Sequence, residues 1–136
     1  MSADIYSTET IKPLSQFLTD FARAAARFGF FIQNETKMDV GRMCWQNGTK
    51  MPEEFDLHMI QVCKPAKVGK TLLENPERAV LVPKFVIAFT KDQKTQIRLL
   101  RYSREFVASL FDDLEFSDSL ANSFNDIVCI IQEAEK

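Results

Sequence analysis

The sequence is poor in the residue types that most often carry catalysis. It has one histidine, His58, and three cysteines, Cys44, Cys63 and Cys129. The cysteines form an odd set without a CxxC pair, which argues against a disulfide framework and is typical of reduced thiols. No group of His, Asp and Glu has the spacing of a zinc site, so we predict no metal and no cofactor.

Long apolar runs are also missing. No stretch approaches the ~18 apolar residues of a membrane-spanning helix. The first residues include the acids Asp4 and Glu9 and no continuous apolar stretch, so we expect no signal peptide. Together with the reduced thiols, these absences predict a cytoplasmic protein without a membrane partner.

The sequence has an ordinary globular composition. Its 136 residues are 46% hydrophobic and 26% charged, and no repeat, linker or low-complexity tract interrupts them. That length is typical of one domain with one core. We predict a loose N-terminal segment over residues 1–11 and a single α+β domain over residues 12–136.

Charge is unevenly distributed along the chain. Residues 61–104 hold ten Lys and Arg against three acids, whereas residues 105–136 hold one against eight. The basic segment can attract anions, but the two segments can equally pair with each other or between subunits.

Hydrophobic periodicity predicts alternating helices and strands. Apolar residues three or four positions apart favour a helix over residues 13–28, and a period of two favours a strand from Phe55 to Cys63. The other predicted strands are at 30–35, at 79–82 and 85–90 with a break at Pro83, and at 95–102 after a polar turn. The other predicted helices are at 36–48, at 66–74, and after caps at Ser103 and Ser117. The order αβαβαββαα predicts a two-layer fold: a mixed or antiparallel sheet of about four strands with helices on one face.

The strand at 85–90 is apolar on both sides, because Phe85, Ile87 and Phe89 alternate with Val86 and Ala88. Helices can cover one side, and the other side then needs a second apolar surface. We therefore predict a homodimer.

Three segments carry a resemblance to a known family: LHMIQVCKP at 57–65, LLENPE at 72–77 and VLVP at 80–83. They resemble the central pattern of the domain of unknown function 302 family, most clearly over residues 55–102. The resemblance implies an α+β fold, dimers and no agreed activity. Many members carry a cysteine where this chain has Lys84, so a two-thiol mechanism would here require Cys44 or Cys129 as the second thiol.

Cys63 is the leading candidate for a reactive group. It lies where a strand gives way to a helix, and backbone N–H groups together with Lys64 and Lys67 would favour its thiolate. Packing in the core is the alternative, since cysteine is often buried. His58 should face away from Cys63 by the period of the strand, so a dyad within that strand is not expected.

The same region is a candidate for anion binding. Lys64, Lys67 and Lys70 surround the start of a helix, although Lys64 stands where a phosphate-binding loop requires glycine. The ligand-binding candidates are Cys63, Lys64, Pro65, Lys67, Lys70, His58 and Lys84. Nucleic acid is not favoured, because the sequence lacks an interleaved basic and aromatic platform and its pI is 5.5.

Three functions follow from these features. The favoured one is a non-catalytic homodimer that binds a small ligand or a protein partner. The first alternative is a thiol protein in sulfur transfer or redox handling that uses Cys63. The second is an anion or nucleic-acid binder that uses the basic segment 61–104.

Overall fold

The computed structural model describes residues 2–136 of the chain. The strands are β1 (Ala3–Thr10), β2 (Phe31–Ile32), β3 (Leu57–Cys63), β4 (Lys84–Lys91) and β5 (Lys94–Tyr102). The α-helices are α1 (Leu14–Arg27), α2 (Val40–Gln46), α3 (Pro65–Glu74), α4 (Arg104–Leu110) and α5 (Leu114–Ala134), and a 3-10 helix covers Pro76–Val80.

One antiparallel sheet organises the fold. Its strand order is β1-β5-β4-β3-β2, and every neighbouring pair is antiparallel. The core lies between one face of the sheet and helices α1 and α5, where Phe21, Ile127, Val86 and Leu99 are fully buried. This confirms the predicted α+β class with helices on one face, although the sheet has five strands rather than about four.

The additional strand is β1, which lies in the segment for which we predicted a loose conformation. It pairs with β5 along its whole length, from Ala3 opposite Tyr102 to Thr10 opposite Thr95. Its sequence, ADIYSTET, exposes half of its side chains at a sheet edge, so it contains no apolar run that would indicate a strand. Backbone pairing and the packing of Tyr6 against the core stabilise the segment instead.

Three predicted elements differ from the structure for local reasons: one is of another type, and two begin at another residue. A 3-10 helix replaces the strand predicted at 79–82, because the Asn75 side chain accepts a hydrogen bond from the Glu77 N–H and Pro76 starts the turn. Helix α5 begins before Ser117, since Asp113 caps it by accepting from the Phe116 N–H at 3.0 Å. In the same way, Asp39 caps α2, which therefore begins after the start that we predicted at residue 36.

The hairpin of β4 and β5 and the cap of α4 follow the predictions. Asp92 and Gln93 form the turn with φ values of 55° and 61°, which is the conformation that a two-residue hairpin loop requires. Ser103 Oγ accepts from the Phe106 N–H at 3.0 Å. Within residues 2–136, every helix is too short or too polar to cross a bilayer.

Candidate functional site

The strand pairing brings the predicted site residues to one end of the sheet. Val62 and Lys84 are direct partners across β3 and β4. Cys63 therefore ends β3 close to the point where β4 begins, and α3 starts two residues later at Pro65. The sulfur is thus at the junction of strand and helix, as predicted.

A small cavity lies at this junction and is covered by α5. We call it the lysine cavity, and its volume is about 40 Å³. A single water needs roughly 10–15 Å³ of such space, so the cavity has room for about three waters or one small ligand. Its lining residues are Phe30, Val62, Cys63, Lys64, Lys67, Val68, Thr71, Val82, Lys84, Phe116, Ser119, Leu120 and Ser123.

Lys84 is the most perturbed cation in this cavity. Its Nζ donates to the Val82 carbonyl at 2.9 Å and lies 6.0 Å from the centroid of the Phe124 ring. Burial, reinforced by the positive charge of Lys67, lowers the pKa of Lys84 to about 8, although Cys63 opposes the shift. Desolvation disfavours the charged amine, so a substantial fraction of Lys84 is neutral near physiological pH.

Lys67 reaches the cavity from α3. Its Nζ donates to the Ser119 carbonyl at 3.2 Å and lies 3.1 Å from Ser123 Oγ. Burial lowers the pKa of Lys67, the charge of Lys64 lowers it further, and Asp126 partly opposes both. The Lys67 ammonium is therefore held by neutral oxygens rather than by a carboxylate.

Lys64 completes the set of three cations. Its Nζ lies 5.6 Å from the centroid of the Phe30 ring. Within residues 2–136, none of the ammonium groups of Lys64, Lys67 and Lys84 forms a salt bridge. The lysine cavity thus collects positive charge without a carboxylate in salt-bridge contact with these three lysines.

Cys63 is half-buried beside these cations. Burial raises the pKa of its thiol, and the positive charge of Lys84 only partly offsets that effect. The first N–H groups of α3 bond to the Lys64 carbonyl, from Lys67 at 2.9 Å and from Val68 at 3.2 Å. Burial thus acts against the thiolate that we expected Lys64, Lys67 and the helix start to favour.

The remaining predicted residues lie elsewhere. Pro65 and Lys70 are exposed, and Lys70 lines a separate surface cavity with Glu74 and Arg78. His58 lies near the start of β3, at the opposite end of the strand from Cys63, and its Nε2 lies 3.1 Å from Asp56 Oδ1. Neither Cys44 nor Cys129 lines the lysine cavity, so the chain has no second thiol there.

His58 belongs to a small cluster that the sequence spacing does not indicate. One potential metal-ligating atom from each of Asp39, Asp56 and His58 lies within 4.8 Å of the other two. An isolated backbone bridge between Asp39 and His58 brings the first of these carboxylates close. His58 Nε2 lies 3.1 Å from Asp56 Oδ1 and 3.9 Å from Asp39 Oδ2.

Most other cations of the basic segment are paired. Arg78 binds Asp113 and Glu74, Lys94 binds Glu9, Arg101 binds Asp4 and Arg104 binds Asp118. Two of these acids, Asp113 and Asp118, come from the acidic segment 105–136. The fold therefore pairs much of the basic segment with acids. Positive charge that is not paired in this way is concentrated in the lysine cavity.

Sequence reasoning missed the residues that α5 contributes to the cavity. Ser119 and Ser123 are four positions apart on α5 and line the cavity, and Ser123 is buried. A pair of small polar residues at helical spacing on an apolar face was the available signal. Thr71 on α3 adds a third hydroxyl group.

Fold and site together define a small α+β protein with one helix-covered antiparallel sheet and a cationic cavity at the sheet end. Among solved structures, the chain is similar to the crystal structure of the uncharacterized conserved protein DUF302 from Bacillus stearothermophilus, with a TM-score of 0.76 over 96% of this chain and 97% of that one. The chain thus resembles the DUF302 family in fold, while an identity of 12% extends the likeness no further. No family model and no curated protein matches the sequence.

Proposed function

We propose that this protein is a non-catalytic, cytoplasmic homodimer that binds a small anion in the lysine cavity. The observation that carries the proposal is the convergence of Lys64, Lys67 and Lys84 on one cavity, where none of the three forms a salt bridge with a residue of the described segment 2–136. Holding desolvated cations together is unfavourable unless something compensates for it. A bound anion would supply the missing charge, and the hydroxyl groups of Thr71 and Ser123 would supply hydrogen bonds.

The size of the cavity restricts the ligand. A cavity of about 40 Å³ suits a compact anion better than a nucleotide. Phe30, Phe116 and Leu120 form apolar walls, which would strengthen the attraction between the ligand and the lysines by excluding water.

Thermal unfolding of the full chain with added oxalate tests this proposal. Oxalate is a compact dianion, and a ligand that binds only the folded state raises Tm with its concentration. We expect the rise to be lost in Lys67→Met and Lys84→Met and kept in Lys70→Met, which removes an exposed lysine of the same helix. Equal responses of all four proteins, or no response of the wild type at low salt, would refute anion binding in this cavity.

The homodimer part of the proposal is supported by the uncovered face of the sheet. Ile5, Met59, Phe85 and Leu100 are 63%, 44%, 42% and 50% exposed there. The register aligns Ile5, Leu100 and Phe85 in one row across β1, β5 and β4. A contiguous apolar surface of this kind marks an interaction site, and a second copy would offer a matching apolar surface.

The charges at this face favour a second copy of the chain as the occupant. Glu9 pairs with Lys94, and Arg98 lies 5.4 Å from the Phe89 ring while donating to Gln96. Because Glu9 and Lys94 neutralise each other within one chain, this pair would add little repulsion between two identical faces. Homodimer interfaces are also the more apolar class of interface.

Size-exclusion chromatography with light scattering tests the assembly. We expect twice the 15.6 kDa chain mass at micromolar concentration, and the single-chain mass for Leu100→Lys. Leu73→Lys is the matched control, because Leu73 is an exposed leucine on α3 outside the sheet. A monomeric wild type would refute the homodimer and would leave anion binding to its own test.

The thiol alternative keeps one supporting observation, which is that Cys63 lines the same cavity as Lys84. The raised pKa of its thiol disfavours the thiolate form. A role for Cys63 in sulfur transfer would thus depend on a ligand or partner that removes its proton.

A further inference from the structure

Lys84 differs from the other lysines of the cavity in a way that simple anion binding does not use. It lines the lysine cavity and also a second, larger cavity of about 330 Å³ bordered by Phe85, Leu100 and Tyr102. Among the described residues 2–136, its amine donates a hydrogen bond to the Val82 carbonyl alone. The nitrogen lone pair of a neutral amine in this position would be free to react with an electrophile in the cavity.

We propose that Lys84 captures a small 2-oxo acid covalently, as an imine between its Nζ and the keto carbon, while Lys67 holds the carboxylate. This inference rests on the proposed function, since the same cavity binds the anionic part of the ligand. In the step, a nitrogen–carbon bond forms and the carbon–oxygen bond of the ketone breaks. The oxygen leaves as water and takes both hydrogens of the neutral amine, so no oxidant or reductant is needed.

Three observations support this chemistry over plain ion pairing. The cavity holds two groups that could bind a 2-oxo acid: an ammonium held by Ser119 and Ser123 for the carboxylate, and a second amine beside the apolar ring of Phe124 for the keto carbon. Its volume suits a ligand of a few non-hydrogen atoms. A lysine that is desolvated and next to another cation is also the arrangement that activates amines toward carbonyl compounds.

The protonation of Lys84 is consistent with this role. The groups that face it are Lys67 from α3 and Cys63 from β3, while α5 presents the neutral Phe124. Asp126 acts on Lys67. With a pKa of about 8 against an ordinary ~10.4, the neutral fraction near pH 7.5 exceeds that of a surface lysine by a factor on the order of 100.

Reductive trapping of the full-length wild type tests the inference. The protein is incubated at pH 7.5 with glyoxylate or pyruvate and sodium cyanoborohydride, which reduces an imine to a stable secondary amine. Intact mass and peptide mapping then locate the adduct. We expect one adduct on Lys84, formed 10- to 100-fold faster than adducts on exposed lysines, absent in Lys84→Arg and unchanged in Lys70→Arg.

Competition by oxalate gives a second test that does not depend on the Lys84 variant. Oxalate has carboxylates but no ketone that could react with the amine. Suppression of the wild-type adduct by oxalate would support capture in the cavity. No adduct on Lys84, or an adduct rate equal to that of exposed lysines, would overturn the inference. If oxalate still raises Tm in that case, anion binding stands alone, and if it does not, both proposals fail.

Discussion

Arg78 and Lys84 are basic residues six positions apart in the sequence, and the fold treats them in opposite ways. The Arg78 side chain is 7% exposed and that of Asp113 is 12% exposed. The guanidinium donates to the two Asp113 oxygens at 2.7 and 3.0 Å and to Thr71 Oγ1 at 2.8 Å. The hydrogen bonds to Asp113, with a further contribution from Glu74, raise the pKa of Arg78, and the same Arg78 hydrogen bonds lower the pKa of Asp113.

Lys84 has no such partner. It is desolvated, it faces the charge of Lys67, and its pKa falls to about 8. The comparison separates two uses of one basic segment: Arg78 joins α3 and the 3-10 helix to the start of α5, whereas Lys84 keeps its charge uncompensated inside a cavity. Structural cations are those that the fold pairs, and candidate ligand-binding cations are those that it leaves without a carboxylate.

The largest effect should come from removing the paired cation. Arg78→Met leaves the Asp113 carboxylate without its bidentate partner, and loss of one member of a buried pair costs about 3–5 kcal/mol. Glu74 at the edge of this cluster is 39% exposed, so water reaches it and we expect about 2–3 kcal/mol. Urea unfolding at pH 7 measures the loss, with Lys70→Met as a surface control that should stay within about 0.5 kcal/mol.

Arg78→Lys sharpens the same prediction. It keeps the charge but cannot donate two parallel hydrogen bonds to Asp113, so an intermediate loss of stability is expected. A stability of Arg78→Met equal to that of the wild type would remove the distinction between paired and unpaired cations on which the comparison depends.

A smaller, pH-dependent effect should come from removing the unpaired cation. Well below its folded pKa of about 8, Lys84 is protonated in both the folded and the unfolded chain, and folding carries the full cost of its desolvation. Between about pH 8 and ~10.4 the unfolded chain binds more protons, so the wild type gains stability relative to Lys84→Met as the pH rises. The part of this gain between pH 8 and pH 10 should be about 2 kcal/mol.

The measurement is the difference in unfolding free energy between wild type and Lys84→Met from pH 7 to pH 10. Both proteins should carry Cys63→Ala, because the raised pKa of that thiol contributes stability that is lost over part of the same range. A difference that does not change with pH would contradict a lowered pKa for Lys84.

The sequence predicts well those elements whose pattern reflects a buried face. Phe55–Cys63 and 85–90 are two-sided apolar strands, and residues 13–28 form an apolar helical face, so strand, hairpin and helix follow from periodicity. Edge strand β1 was not found, because backbone pairing with β5 rather than an apolar pattern fixes it. The boundaries near Asn75 and Asp113 depend on single side-chain caps, which several nearby polar residues could equally have provided.

The candidate site is predictable only in part, for a related reason. Cys63, Lys64 and Lys67 follow from their place at the junction of β3 and α3. Which lysines lose their counter-ions depends on contacts between residues distant in sequence, such as the contact of Lys67 with Ser123. The direction of the Cys63 pKa likewise depends on burial beneath α5, which local sequence does not reveal.

The smallest expected effect concerns that thiol and tests whether desolvation or charge dominates the lysine cavity. In a Cys44→Ser/Cys129→Ser variant, we expect Cys63 to react with iodoacetamide with an apparent pKa above the ~8.5 of a free thiol. Lys84→Met should raise that pKa further by removing the nearby cation, and Lys70→Met should leave it unchanged. An apparent pKa below that of the denatured protein would mean that the cations outweigh burial, which would favour the thiol function over simple anion binding.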